Sequence, residues 1–265
     1  MIEQFLDTYR RFKPRKYGWS GNFESWEAAK NKSEGYDEEK ILAHVIQSSL
    51  KVKNGESAWE RDGFNHDQVY YSWPLLSHLM LIAAKNNGNL SLIDFGGSLG
   101  TSYFQNRKFL QKLSKVTWSI IEQAHFVKAG NEKIAYESLD FFETIDLAFQ
   151  KHKNYDTILI NCVLPYLENP YEILNHIISF GFNTIILEDT YYNNDAEDRI
   201  CVQSVDPVFY GSTTSYPCRF LNYEKVKGTF LNNYEVLQEY DTGVVLYLDN
   251  KTVKYKSLIL TLKEE

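Results

Sequence analysis

The sequence predicts an α/β fold: a mostly parallel seven-stranded sheet with one reversed strand, helices on both faces and an N-terminal helical cap. Three observations predict it. From residue 90 onward, short apolar runs alternate with amphipathic stretches, as strands and helices do along a parallel sheet. The last two apolar runs are separated only by a turn near 249–251, so they can pair as an antiparallel hairpin. Residues 90–103 read as a buried strand ending in an acid, then a glycine-rich turn, then a helix start. On such sheets ligands sit beyond the carboxyl ends of the strands, where the strand order reverses.

The elements follow in order. Residues 1–60 look mostly helical and polar. Residues 37–50 open with acids, and Ile41, Leu42, Val45, Ile46 and Leu50 recur at helical spacing. Residues 68–86 form a second helix through Trp73, Leu75, Leu76, Leu79, Met80, Ile82 and Ala83, with Pro74 tolerated in its first turn. Asn86-Asn87-Gly88-Asn89 breaks it. Strands are expected at 90–95, 116–121, 134–138, 156–161, 184–189, 234–240 and 257–263. Helices are expected near 101–113, 124–131, 143–151, 170–179 and 223–232. Segment 190–222 does not fit the alternation and is long for a loop, which marks a lid or an inserted element. The expected organisation is a helical cap over 1–88 and one α/β domain over 89–265, with the lid-like insertion at about 190–222.

The 265 residues suffice for this core. The 19 Tyr and 16 Phe argue against intrinsic disorder. A net charge of −7 argues against non-specific nucleic-acid binding, which needs clustered Lys and Arg. Arg10, Arg11, Lys13, Arg15 and Lys16 do cluster, and a solvated helix end is the simpler account of them. Cys162, Cys201 and Cys218 are odd in number and far apart, which indicates neither a disulfide framework nor a zinc site. Reduced thiols, an N-terminus without a signal-peptide core and the lack of any run of ~18 apolar residues lead to the expectation of a cytoplasmic protein without a transmembrane segment.

The turn Asp94-Phe-Gly-Gly-Ser-Leu-Gly100 carries the chemistry. A phosphate-binding P-loop needs a Lys after its last glycine, and none follows Gly100. A dinucleotide fingerprint, G-x-G-x-x-G, would need glycine at 95, which is Phe. The pattern acid-x-G-x-G-x-G is met by Asp94, Gly96 and Gly100, with Ser98 in place of the middle glycine. Glycine lets the backbone approach a ligand and adopt positive φ. A strand-end carboxylate beside such a turn suits a ligand bearing a cationic amine and a nucleoside, and S-adenosyl-L-methionine is one. Gly97 and Tyr103 complete the segment expected against it. A tight turn built only for packing is the bland alternative.

A second acid shifts the balance. Glu122 ends the next strand, 28 positions after Asp94, where a carboxylate can take both ribose hydroxyls, with Gln123 assisting. Near the third strand, Asp140 can meet the adenine amino group and Phe141 its face, although capping a helix suits Asp140 equally. Asn161 ends the fourth strand and would line the reacting centre. Cys162 beside it reads as a small buried thiol.

The run Ile93–Gly100, then 118–123, then Leu164-Pro-Tyr-Leu167, resembles the class I, Rossmann-like S-adenosylmethionine-dependent methyltransferases. More narrowly, it resembles a bacterial group of such proteins associated with surface-polysaccharide and O-antigen biosynthesis. Residues 18–28 and 35–37 resemble that group's N-terminal signature, and residues 203–210 and 215–217 its lid-like segment. The resemblance spans about 17–240. It implies methyl transfer to oxygen or nitrogen of a small molecule or saccharide. Two departures stand out. Ser98 replaces a usual glycine, and Ile186-Leu-Glu-Asp-Thr190 lacks an Arg that often follows the acid in the group.

Methyl transfer is chiefly a matter of alignment, aided by a base where the acceptor is a hydroxyl. Asp189 is the first candidate base, although it can equally cap the following loop; His66 is the second. Asp62 and Asp67 are too few to hold a metal with it. The aromatic clusters Tyr17, Trp19, Phe23, Trp26 and Tyr191, Tyr192, Tyr210, Tyr216 suit packing as well as sugar binding. The competing functions are a nicotinamide-dependent oxidoreductase on a similar sheet and a non-catalytic binding protein that keeps the fold.

Overall fold

The computed structural model describes residues 17–34, 38–193, 195–210, 214–249 and 251–264. The basic run at 10–16, residues 35–37 and the side chain of Tyr210 lie outside them.

The chain opens with strand β1 (Gly18–Phe23), helices α1 (Trp26–Lys32) and α2 (Glu38–Lys53), strands β2 (Trp59–Arg61) and β3 (Phe64–His66), and helix α3 (Trp73–Lys85). Strand–helix alternation follows: β4 (Asn89–Phe95), α4 (Thr101–Leu110), β5 (Lys115–Ile121), α5 (Ala124–Ala129), β6 (Leu139–Phe142), α6 (Ile145–Lys151), β7 (Thr157–Asn161) and α7 (Pro170–Ser179). The remainder comprises β8 (Thr184–Asn193), β9 (Arg199–Val205), α8 (Pro207–Tyr210), β10 (Thr214–Asn222), α9 (Tyr223–Phe230), β11 (Tyr234–Leu248) and β12 (Lys251–Leu262). The fold is mixed α/β and Rossmann-like, with a mostly parallel central sheet and helices.

The chain forms two compact units. One comprises Glu38–Asn161 and Gly181–Glu188. Its sheet runs β8–β7–β4–β5–β6, and every pair is parallel. Parallel strands buried on both faces need near-continuous apolar runs, and Leu92, Ile93, Ile120, Ile158, Leu159, Ile160, Ile185 and Ile186 are all fully buried. The chain steps outward from β4 to β5 and β6, then returns to β7 on the other side, so the switch point lies at the carboxyl end of β4. Side-chain caps fix two helix starts: Ser72 accepts from Leu75 N at α3, and Thr144 accepts from Leu147 N at α6.

The other unit comprises Met1–Asp37, Cys162–Phe180 and Asp189–Glu265. Strands β1, β9 and β10 form an antiparallel ladder in which Trp19, Gln203 and Tyr216 stand in register. The end of β10 runs parallel to the end of β8, Leu221 beside Tyr192. Strands β11 and β12 make the expected antiparallel hairpin, longer than the sequence suggests and bulged between Asp241 and Val245. Tyr191, Cys201, Cys218, Phe220, Leu246, Leu248 and Val253 form a buried cluster.

Four expectations need correction. Segment 190–222, which does not read as strands, is mostly strand among its described residues: β8 extends to Asn193, and β9 and β10 follow. Residues 1–60 carry helices over Trp26–Lys32 and Glu38–Lys53 as expected, but also a strand, since Gly18–Phe23 pairs with β9. The third parallel strand is 139–142, not 134–138; residues Gly130–Ile134 continue the preceding helix as a π-turn closed by Ala135 N to Gly130 O, 2.8 Å. The strand count exceeds seven, because β1, β9 and β10 add to the expected set.

Candidate functional site

Between the end of β4 and the first turn of α4, the backbone takes positive φ at Gly96 (+73°), Ser98 (+53°) and Gly100 (+99°). At 96 and 100 this requirement explains the glycine. Ser98 takes the same region with a Cβ, at a cost of order 1–3 kcal/mol. The turn is tied down by its own donors: Gly96 N to Ile121 O (2.9 Å), Ser98 N to Glu122 Oε1 (3.2 Å) and Gly100 N to Gly97 O (3.0 Å).

Two carboxylates meet this turn. Asp94 is fully buried, and its Oδ2 accepts from Trp118 Nε1 at 3.1 Å. Its Oδ1 is buried with no hydrogen-bond partner. The carboxylate lies so close beneath Gly97 that a Cβ there would sit 2.5 Å from Asp94 Cγ. Burial pushes Asp94 up to about 7, the Trp118 bond works against this, and the charge of Glu122 adds to it. Glu122 is half-buried, and its Oε2 accepts from Gln123 N at 2.9 Å. Burial raises its pKa too; the bonds from Gln123 and Ser98 and the neighbouring His125 oppose that rise. Among the described residues no Lys or Arg pairs with either acid. His125 Nε2 is itself buried without a partner.

Asn161 joins the same neighbourhood. Its Nδ2 donates to Ser102 Oγ of α4 at 3.3 Å, and its Oδ1 is buried with no partner. Gln123 is exposed at the start of α5. The structure thus brings together Asp94, Gly96, Gly97, Ser98, Gly100, Glu122, Gln123 and Asn161.

Three expected cofactor contacts are placed elsewhere. The Tyr103 ring packs edge-on against Trp118, and its hydroxyl pairs with Ser138 Oγ at 2.8 Å. Asp140 lies one residue inside β6, not at its end. It accepts from Ser119 Oγ, Lys151 Nζ and His152 Nε2, each at 2.7 Å. Burial alone would raise its pKa, but those three partners hold it below the usual carboxylate range. Phe141 is buried with its ring against Gly130.

His66 stacks on Trp59 with centroids 5.3 Å apart, and Trp59 Nε1 donates to Thr101 O at 3.4 Å. Asp189 belongs to the other unit. It is buried, with φ +48°, its N donating to Ser257 Oγ and its Oδ1 accepting from Thr242 Oγ1, both at 2.9 Å.

One acid escaped the sequence. Glu60, on β2, is buried; its Oε1 accepts from Gly63 N and its Oε2 from Thr101 Oγ1, both at 2.9 Å. Arg61-Asp62-Gly63-Phe64 carried the signal: Asp-Gly favours a two-residue hairpin turn, and Asp62 and Gly63 both take positive φ. Among the described residues no group of three or more His, Cys, Asp or Glu can hold a metal ion. No described helix is long and apolar enough to cross a membrane.

No protein-family model matches the chain, and no curated protein is detectably similar in sequence. Solved structures are similar to the chain only at low identity and with TM-scores under 0.5. The N-terminal domain of EvdMO1, crystallised in the presence of SAH and D-fucose, has 15% identity and a TM-score of 0.45, covering 86% of this chain and 98% of that one. An S-adenosylmethionine-dependent methyltransferase from Clostridium acetobutylicum ATCC 824 has 11% identity and a TM-score of 0.44, with 73% and 93% covered. The PH0226 protein from Pyrococcus horikoshii OT3 has 12% identity and a TM-score of 0.46, with 71% and 88% covered.

Proposed function

We propose that the chain is an S-adenosylmethionine-dependent methyltransferase acting on oxygen or nitrogen of a small molecule or saccharide intermediate. One observation carries this: two acids without a Lys or Arg partner, Asp94 and Glu122, meet at a single glycine turn. Burial penalises such charges, and a cationic ligand offsets the penalty. The cofactor carries an ammonium and a sulfonium. The buried, unpartnered Oδ1 of Asp94 fits this group, since leaving such an acceptor unmet costs about 1–3 kcal/mol. Glu122 suits the ribose: each oxygen takes one backbone N–H and keeps another lone pair for a hydroxyl. Asn161 Oδ1 offers a further acceptor.

When bound, the cofactor supplies an electrophilic methyl group. The chain's own part is to grip, orient and keep water out, so that proximity supplies much of the acceleration. The acceptor's proton needs a base. Asp189 is our candidate, supported by its burial and by left-handed backbone of the kind found at working positions. His66 is the second. Replacing Asp189 by Asn is expected to lower turnover about 10²- to 10⁴-fold with cofactor affinity retained; unchanged turnover would remove it from the mechanism.

The likeness of residues 18–28 and 203–210 to the polysaccharide-associated group supports a saccharide acceptor. A nicotinamide dinucleotide fits less well. Its pyrophosphate needs free backbone N–H groups, and those of 96, 98 and 100 already have acceptors.

The direct test is calorimetric titration with S-adenosylhomocysteine. Wild type is expected to bind, and Glu122→Ala to bind about 10- to 100-fold more weakly, as loss of hydrogen bonds to a charged group implies. No heat in wild type would sink the assignment.

A further inference from the structure

In nucleotide-binding α/β proteins, the helix that follows the glycine turn points its N-terminus at a phosphate. Here α4 starts with Gly100 as its N-cap, so no side chain caps it. A carboxylate from a distant part of the chain stands there instead. Glu60, 4% exposed on the β2–β3 hairpin, accepts from the hydroxyl of Thr101, the first residue of α4. The hairpin is held in place by Gly63 N to Glu60 Oε1 and by Trp59 Nε1 to Thr101 O. Asp94 under Gly97 and Glu122 on Ser98 N add two more carboxylates to the turn that leads into this helix. A carboxylate hydrogen-bonded to Thr101 thus stands at the place where a helix start would offer its N–H groups to an anion.

We propose that Glu60 is a specificity-determining residue that keeps phosphate-bearing nucleotides off the glycine turn and reserves it for a nucleoside without phosphate. A phosphate at the start of α4 would face a fixed carboxylate, and placing like charges together is an effective way to reject a wrong partner. The accepted ligand rests on the methyltransferase reading above; the rejection of phosphate does not. Burial raises Glu60 to about 7, Asp62 adds to that and Arg61 opposes it, so the charge is largely present at about pH 8.

The experiment titrates the full chain at about pH 8 with ADP, inorganic pyrophosphate and S-adenosylhomocysteine, in wild type, Glu60→Gln and Glu60→Asp. Circular dichroism checks that each variant is folded. ADP is expected to bind wild type at least about tenfold more weakly than S-adenosylhomocysteine, and Glu60→Gln to raise ADP affinity at least about tenfold. Glu60→Asp, which keeps the charge, should keep ADP out. ADP binding to wild type with a Kd of about 1 μM or tighter would overturn the proposal, and that measurement needs no variant. So would an equal gain in both variants, which would mean loosened packing, or no gain in a folded Glu60→Gln chain. If wild type ignores S-adenosylhomocysteine while Glu60→Gln gains ADP, the methyltransferase reading falls and the role of Glu60 stands. Binding of S-adenosylhomocysteine with no gain of ADP gives the reverse.

Discussion

Asp94 shows how one residue couples burial to ligand charge. Its pKa rises from 3.8 to about 7 chiefly because the folded chain removes it from water. The folded state therefore holds this proton more tightly than the unfolded chain. Between about pH 4 and pH 7 the folded chain binds more protons, so stability falls as pH rises through that window. A rise of this size corresponds to at most about 4 kcal/mol. Asp94→Asn should flatten this part of the pH dependence of the melting temperature. A cation binds the ionised form, so the affinity for S-adenosylmethionine should climb across the same window in wild type and stay level in the variant. Titrations at about pH 6 and 8 check it; parallel profiles would show that Asp94 does not sense the ligand. The sequence showed Asp94 and Glu122 because an acid at a strand end before a glycine turn is a local pattern. It hid Glu60, whose meaning depends on a contact 41 positions away.

At the element scale, the turn and the β6–α6 contact make separate demands. Gly97 lacks a positive-φ requirement, yet its missing Cβ is what admits the Asp94 carboxylate beneath the turn. Gly97→Ala should destabilise the chain by about 1–3 kcal/mol and weaken S-adenosylhomocysteine, measured by denaturation and calorimetry; a stable, fully binding variant would refute the tight fit. Asp140 instead ties β6 to the end of α6 through Lys151 and His152. Asp140→Asn should lower stability by about 1–2 kcal/mol while leaving cofactor affinity within about threefold. A tenfold loss of affinity would put Asp140 at the adenine after all. The strand that carries Asp140 begins later than its sequence suggests. Ile134, Ala135 and Tyr136 supply an apolar start much as Leu139–Phe142 do, and the fit of Gly130 against the Phe141 ring favours the later register.

Over the whole molecule, the three thiols report on packing. Cys201 and Cys218 are buried opposite each other on β9 and β10, and burial raises both, Cys201 to about 11 and Cys218 further. Cys162 is half-buried. Ellman's reagent should titrate one thiol quickly in the native chain and all three only on unfolding, because the thiolate is the reactive form; three fast thiols would mean that the β9–β10 ladder is open in solution. By itself, the sequence determined the alternation of strands and helices from residue 89 to 179, the terminal hairpin, and the glycine turn with its two acids. These follow from periodicity and from short-range conformational rules that neighbouring residues enforce. Only the tertiary structure decided that 199–205 pairs as a strand with Gly18–Phe23 and with 214–222, that Asp140 is spent on Lys151 and His152, and that Glu60 stands at the start of α4. Each of those depends on which distant side chains share a desolvated space, and no local pattern encodes that.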